Sequence, residues 1–120
     1  MNINTINDAI RLIIEEAPLY TAAYNNSNNK VANKKHKKII TAMNFLIKNN
    51  SLGELKPLLN HSDLSIAHWA AIYLLKSETQ LAEKKLEEIA SRDDSLTSLD
   101  AEYALIEWRN GDLNLWESDS

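Results

Sequence analysis

Apolar residues recur every three or four positions along most of this chain, which is the spacing of one face of an α-helix. The first stripe runs from Ile6 to Tyr24 and continues past Pro18. Proline removes a backbone donor and clashes with the preceding turn, so we expect this helix to kink near residues 14–18 rather than to end there. Thr5 or Asn7 can cap its start. The asparagine-rich segment 25–29 then predicts a helix end and a turn.

The same periodicity predicts four further helices, at about 29–49, 63–76, 78–91 and 98–110, and a short helix around Pro57. The predicted inward positions of the second helix are Ala32, His36, Ile39, Ile40, Met43, Leu46 and Ile47. Those of the helix at 78–91 are Leu81, Ala82, Leu86, Ile89 and Ala90, and those of the last helix are Ala101, Ala104, Leu105 and Trp108. Gly111 is predicted to end the last helix, because glycine adopts the left-handed conformation at little cost.

The segment from Leu64 to Leu75 differs from the others because it is apolar on nearly every side. It is too short to cross a bilayer, which takes about 20 apolar residues. A helix without a polar face must be covered by neighbours, so this segment is predicted to be the central helix of the fold. Ser62 or Asp63 can cap its start with a side-chain oxygen.

The pattern as a whole predicts an all-α fold of five to six helices in one domain, residues 1–120, with a loosely held tail at 112–120. The motif Leu58-Leu59-x-His61-x-Asp63 entering the central helix, and a weaker echo in the last two helices, favour a short HEAT-like α–α superhelix. An irregular helical bundle is the alternative.

Composition narrows the classes of function. The chain has no cysteine, which excludes disulfides and thiolate metal sites and is typical of a cytoplasmic protein. Its start lacks a basic segment followed by an apolar run, so we expect no signal peptide and no membrane association.

The histidines and acidic residues do not form a recognisable reaction centre. His36, His61 and His68 lack the spacing of a zinc-binding helix, and paired carboxylates such as Glu15 and Glu16 point apart on a helix. The sequence therefore predicts a protein that is not an enzyme and that has no metal, cofactor or catalytic residues.

Charge is divided unevenly. Residues 1–50 contain seven Lys or Arg and three Asp or Glu, whereas residues 51–120 contain six and fourteen. Carboxylates can mimic the phosphates that a nuclease grips and can accelerate association with its basic cleft. The candidate partner-binding residues are Glu83, Glu87, Glu88, Asp93, Asp94, Asp100, Glu102, Glu107, Asp112 and Trp116.

The candidate aromatic anchors are Trp116, Trp108 and Tyr103. We favour Trp116 as an exposed contact and assign Trp108 to the core.

An alternative partner is nucleic acid. Lys34, Lys35, Lys37 and Lys38 lie on the second helix and can hold phosphates. No arginine and no interleaved aromatic residue accompanies them, so nucleic-acid binding is the less favoured interpretation. A scaffold or homo-oligomer subunit is a third possibility.

The motifs along the chain together resemble a family of small bacterial all-helical domains with HEAT-like repeats, some of which look like immunity proteins of toxin systems such as contact-dependent growth inhibition. The matching segments are Ala32-Asn33-Lys34, Leu58-Leu59-x-His61-x-Asp63, Ala70-Ala71, Ala82-x-x-x-Leu86-x-x-Ile89-Ala90 and Ala104-Leu105-x-x-Trp108-Arg109-x-Gly111. This resemblance implies the helical fold and an immunity role. Together with the acidic second half of the chain and its lack of catalytic groups, it leads us to expect a chain, monomeric when free, that neutralises a cognate toxin by occluding its active site, with a nuclease as the expected target.

Overall fold

A computed structural model describes residues 3–93 and 95–116 of the chain. The described residues form five α-helices and one 3-10 helix: α1 (Ile6–Asn25), α2 (Asn29–Lys48), the 3-10 helix (Leu52–Asn60), α3 (Leu64–Leu74), α4 (Thr79–Ala90) and α5 (Leu96–Arg109). The predicted all-α class is confirmed, and no strand occurs in the part of the chain that is described. The chain divides into two compact units, residues 1–54 and 55–120.

The first unit is a pair of packed helices, α1 and α2. Thr5 begins α1 with a capping box: its side chain accepts from the Asp8 backbone N–H at 3.1 Å, and the Asp8 carboxylate accepts from the Thr5 N–H at 3.1 Å. The helix continues through Pro18, as the stripe predicted. The turn between α1 and α2 uses Ser27 in the left-handed region, with φ of 57°, rather than one of its asparagines.

Fully buried Ile13, Ile39, Met43 and Leu46 fill the core of the first unit. Burying side chains of this size stabilises a fold by about 1.5–3 kcal/mol each. His36 was predicted to lie among them, and that prediction is wrong, because His36 is exposed and its ring lies 5.8 Å from the ring of Tyr20. Its position on the stripe suggested burial, but the polar imidazole ring can remain in contact with water.

The second unit is built around α3, which contacts both α4 and α5. Eight of its eleven residues are buried, so the prediction that this apolar helix is covered by neighbours is confirmed. Asp63 is the residue that caps α3, and its carboxylate accepts from the Ser65 and Ile66 backbone N–H groups and from the Ser65 hydroxyl.

Two features of the second unit depart from the sequence pattern, the exposure of Leu81 and the docking of the tail. Leu81, predicted to face inward on α4, is 49% exposed. Gly111, whose φ of 78° matches the predicted left-handed conformation, follows the end of α5, and the tail beyond it returns to the unit. Trp116, the last described residue, donates from Nε1 to the Tyr73 carbonyl oxygen at 2.8 Å.

Candidate protein-binding surface

Helix α5 is apolar on two opposite sides. Its inner side buries Ala101, Ala104 and Leu105 against the rest of the second unit. Its outer side carries Leu99, Tyr103 and Ile106, which are 42%, 62% and 48% exposed. These three residues are separated by four and three positions, so they share one face of the helix, which we call the outer ridge. Contiguous exposed apolar residues of this kind are typical of a protein-binding surface.

Carboxylates flank the outer ridge. Glu102 falls on one side of it and Glu107 on the other, given the 3.6-residue turn of an α-helix. Both are exposed, as is Asp112 beyond the helix end, and none of the three has an ion-pair partner among the described residues. Three of the predicted partner-binding carboxylates therefore remain available to a partner.

Three predicted carboxylates on α4 are already engaged within the second unit. Glu83 is half-buried and accepts from the Trp108 Nε1–H at 2.8 Å. Glu87 lies 3.6 Å from Arg109, and Glu88 lies 3.1 Å from Lys85. Ion pairs this exposed are worth at most about 1 kcal/mol each, so a partner can displace them. The Glu83 contact instead links α4 to α5.

The remaining acidic candidates have local roles. Asp93 accepts from the Ser95 backbone N–H at 2.8 Å and from the Ser98 hydroxyl at 2.9 Å. The hydrogen bonds from Ser95 and Ser98 hold the pKa of Asp93 below its ordinary value. Asp100 is half-buried, and burial raises its pKa. Asp94 lies outside the described residues.

Trp116 is not the exposed anchor that the sequence suggested. It is half-buried, hydrogen-bonded to the Tyr73 carbonyl, and packed edge-on against Trp108 with ring centroids 5.7 Å apart. Trp108, assigned to the core, is also half-buried. Of the three candidate anchors, Tyr103 is the one whose side chain is most available, at 62% exposed.

The lysine candidates of α2 are divided by an acidic neighbour on α1. The Glu16 carboxylate, 7% exposed, lies 3.1 Å from the Lys35 ammonium and 3.2 Å from that of Lys38. Burial alone would raise the pKa of Glu16, but the hydrogen bonds and charge of the two lysines outweigh it, and the pKa lies below its ordinary value. Lys34 and Lys37 remain exposed, without an ion-pair partner in the described part of the chain. Two of the four lysines counted in the sequence are therefore paired with a carboxylate of the same unit.

The exposed positions of Leu99 and Ile106 and the contact of Glu16 with the lysines were not predicted from the sequence. The ridge had a signal, because the last helix contains a second apolar stripe at 99, 103 and 106 in addition to its inner one. The ion cluster had none, because periodicity does not show which charges of two helices meet.

Among the described residues, no helix has the length and apolar character needed to cross a membrane, and no cluster of three or more metal-ligating side chains occurs. Comparison of the chain with protein-family models, with curated proteins and with solved structures finds no match.

Proposed function

We propose that this chain is a cytoplasmic immunity protein that binds a cognate bacterial nuclease toxin and occludes its active site. The observation that carries the proposal is the outer ridge of α5, where an exposed tyrosine stands among carboxylates that lack internal partners. The HEAT-like motifs resembling those of immunity proteins point in the same direction.

The mechanism follows from the two kinds of group on this surface. A nuclease cleft is basic because it holds phosphates, so Glu102, Glu107 and Asp112 would attract it from a distance and accelerate association. Tyr103 would then supply contact area and a hydroxyl with little loss of side-chain entropy, which is typical of an anchor residue. Inhibition needs no bond-making step.

The lysine surface of α2 gives less support to the nucleic-acid alternative. Lys35 and Lys38 lie against Glu16, so a phosphate would have to compete with a buried carboxylate for them. Lys34 and Lys37 alone form a weak phosphate site, since each phosphate contact adds little at physiological salt.

The test is to co-express the chain with each toxin encoded beside it, and to measure growth and co-purification. We expect protection and a complex with one of them. Tyr103→Ala should raise the Kd of that complex about 30-fold, since truncating an anchor costs about 2 kcal/mol. The matched control is Leu19→Ala, which removes an apolar side chain that is 50% exposed from α1.

Charge reversal separates steering from anchoring. Replacing Glu102 and Glu107 by lysine should slow association about tenfold at low salt, with a smaller effect at high salt. Glu15→Lys, a reversal at an exposed position of α1, is the control. The absence of a complex and of protection with every neighbouring toxin would overturn the function. Protection with unchanged affinity in both ridge variants would keep the function and overturn this surface.

A further inference from the structure

A second apolar surface of the same unit carries the opposite charge to the outer ridge. A groove of about 480 Å³ lies between the 3-10 helix and α4. Its apolar lining includes Pro57, Leu59 and Leu81, and Leu81 is 49% exposed. Beside these residues lie Lys56, Lys84, Lys85 and Asn60, together with the carboxylate of Glu88. We call this surface the lysine groove.

The cations of the lysine groove are only partly neutralised. Lys56 pairs with Glu78 at 3.4 Å, and Lys85 pairs with Glu88 at 3.1 Å. Lys84 is exposed and has no ion-pair partner among the described residues. The groove therefore presents a net positive rim around an apolar floor, which suits an apolar ridge flanked by carboxylates.

The outer ridge has that chemistry and shares no residue with the groove. Leu99, Tyr103 and Ile106 would enter the groove, and Glu102 and Glu107 would lie at its lysine rim. We infer that the occupant of the lysine groove is the outer ridge of a second copy of this chain, so that copies associate head to tail. This inference goes beyond the proposed function, and it replaces the monomer expected from the sequence.

Charge also excludes the simpler arrangement of two ridges packed against each other. In a two-fold contact each patch meets itself, so Glu102 and Glu107 of one copy would face the same carboxylates of the other. Like charges placed opposite each other oppose association. A contact between two different surfaces avoids this repulsion, and it leaves one ridge and one groove free unless the assembly closes. Three half-exposed side chains make a small interface, so the association should be weak and concentration-dependent.

The test uses the chain alone, in sedimentation velocity from about 10 μM to 1 mM at low and high salt. We expect the sedimentation coefficient to rise with concentration, and to rise less at high salt. Tyr103→Asp replaces the central apolar residue of the ridge by a charge, and Lys84→Glu reverses the charge of the unpaired lysine of the groove. Each variant alone should therefore sediment as a monomer at every concentration. Leu19→Asp and Lys76→Glu, at exposed positions outside both surfaces, should behave as the parent chain.

Mixing the two variants decides the geometry. The Tyr103→Asp chain retains its groove and the Lys84→Glu chain retains its ridge, so an equimolar mixture should associate again and stop at a dimer. Circular dichroism shows that each variant is folded. Monomeric behaviour of the parent chain up to 1 mM would overturn the inference, and so would association of Lys84→Glu alone, which would indicate a ridge-to-ridge contact. Neither result depends on a toxin, so failure here is distinguishable from failure of the proposed function.

Discussion

His68 should make the stability of this protein fall in mild acid. The side chain lies on α3 and is 8% exposed, and its Nε2 atom has no hydrogen-bond partner among the described residues. An imidazolium at this position would be desolvated without a compensating bond, so the folded chain resists protonation there. Replacing His68 by leucine keeps a neutral side chain in this position and removes the titration.

The magnitude follows from the pKa of the two states. Burial lowers the pKa of His68 from 6.5 to about 4 in the folded chain, and the unfolded chain keeps the ordinary value. Between those two pH values only the unfolded chain binds the proton, so the free energy of unfolding falls as the pH falls. One pKa unit corresponds to about 1.4 kcal/mol, so the full window is worth about 3 kcal/mol, of which about 2 kcal/mol is lost by pH 5. Above pH 6.5 both states are neutral and the stability is fully present.

The assay is urea unfolding followed by far-ultraviolet circular dichroism, at intervals from pH 7.5 to pH 5. The parent chain should lose about 2 kcal/mol more than His68→Leu over this range. All other ionisable groups are the same in the two proteins, so their contributions cancel in the difference. An equal loss in the two proteins would contradict this prediction and would mean that the folded chain accommodates the imidazolium.

Two further substitutions test contacts within single units by the same unfolding measurement. Lys35→Met should lower the free energy of unfolding by about 2 kcal/mol, because the buried Glu16 carboxylate loses one of its two cations. The control Lys34→Met should change it by less than about 0.5 kcal/mol. Equal effects would show that Glu16 does not depend on Lys35. Asp63→Ala should cost about 1–2 kcal/mol through loss of the α3 cap, and Ser62→Ala next to it should be nearly neutral. A larger loss of stability in Ser62→Ala than in Asp63→Ala would contradict the assignment of Asp63 as the cap.

Helix positions were predictable because each depends on a local pattern. The segment predicted at 78–91 is observed at Thr79–Ala90, and that at 29–49 is observed at Asn29–Lys48. Caps were predictable only as alternatives. Thr5 and Asp63 were each one of two candidates, because neighbouring short side chains also carry an oxygen that can accept a hydrogen bond from the first turn. The choice depends on backbone angles that the sequence does not display.

The candidate surface was predictable in its charge but not in its contacts. Glu83 and Trp116 looked like free surface groups, yet they bond to Trp108, 25 residues away, and to the Tyr73 carbonyl, 43 residues away. Such contacts depend on which elements pack together, and a single sequence does not encode that in any short spacing. The prediction that Leu81 faces inward was wrong for a related reason. An apolar stripe can be wider than the surface of the helix that covers it, so a residue at the edge of the stripe stays exposed.

The division into two units has a spectroscopic consequence. All three tryptophans, at positions 69, 108 and 116, belong to the second unit, whereas the first unit contains tyrosines and phenylalanine but no tryptophan. Indole fluorescence therefore originates in residues 55–120, whereas backbone ellipticity reports both units. The difference between the fluorescence midpoint and the ellipticity midpoint in one denaturant titration measures whether the two units unfold together. This measurement needs no label and no truncation.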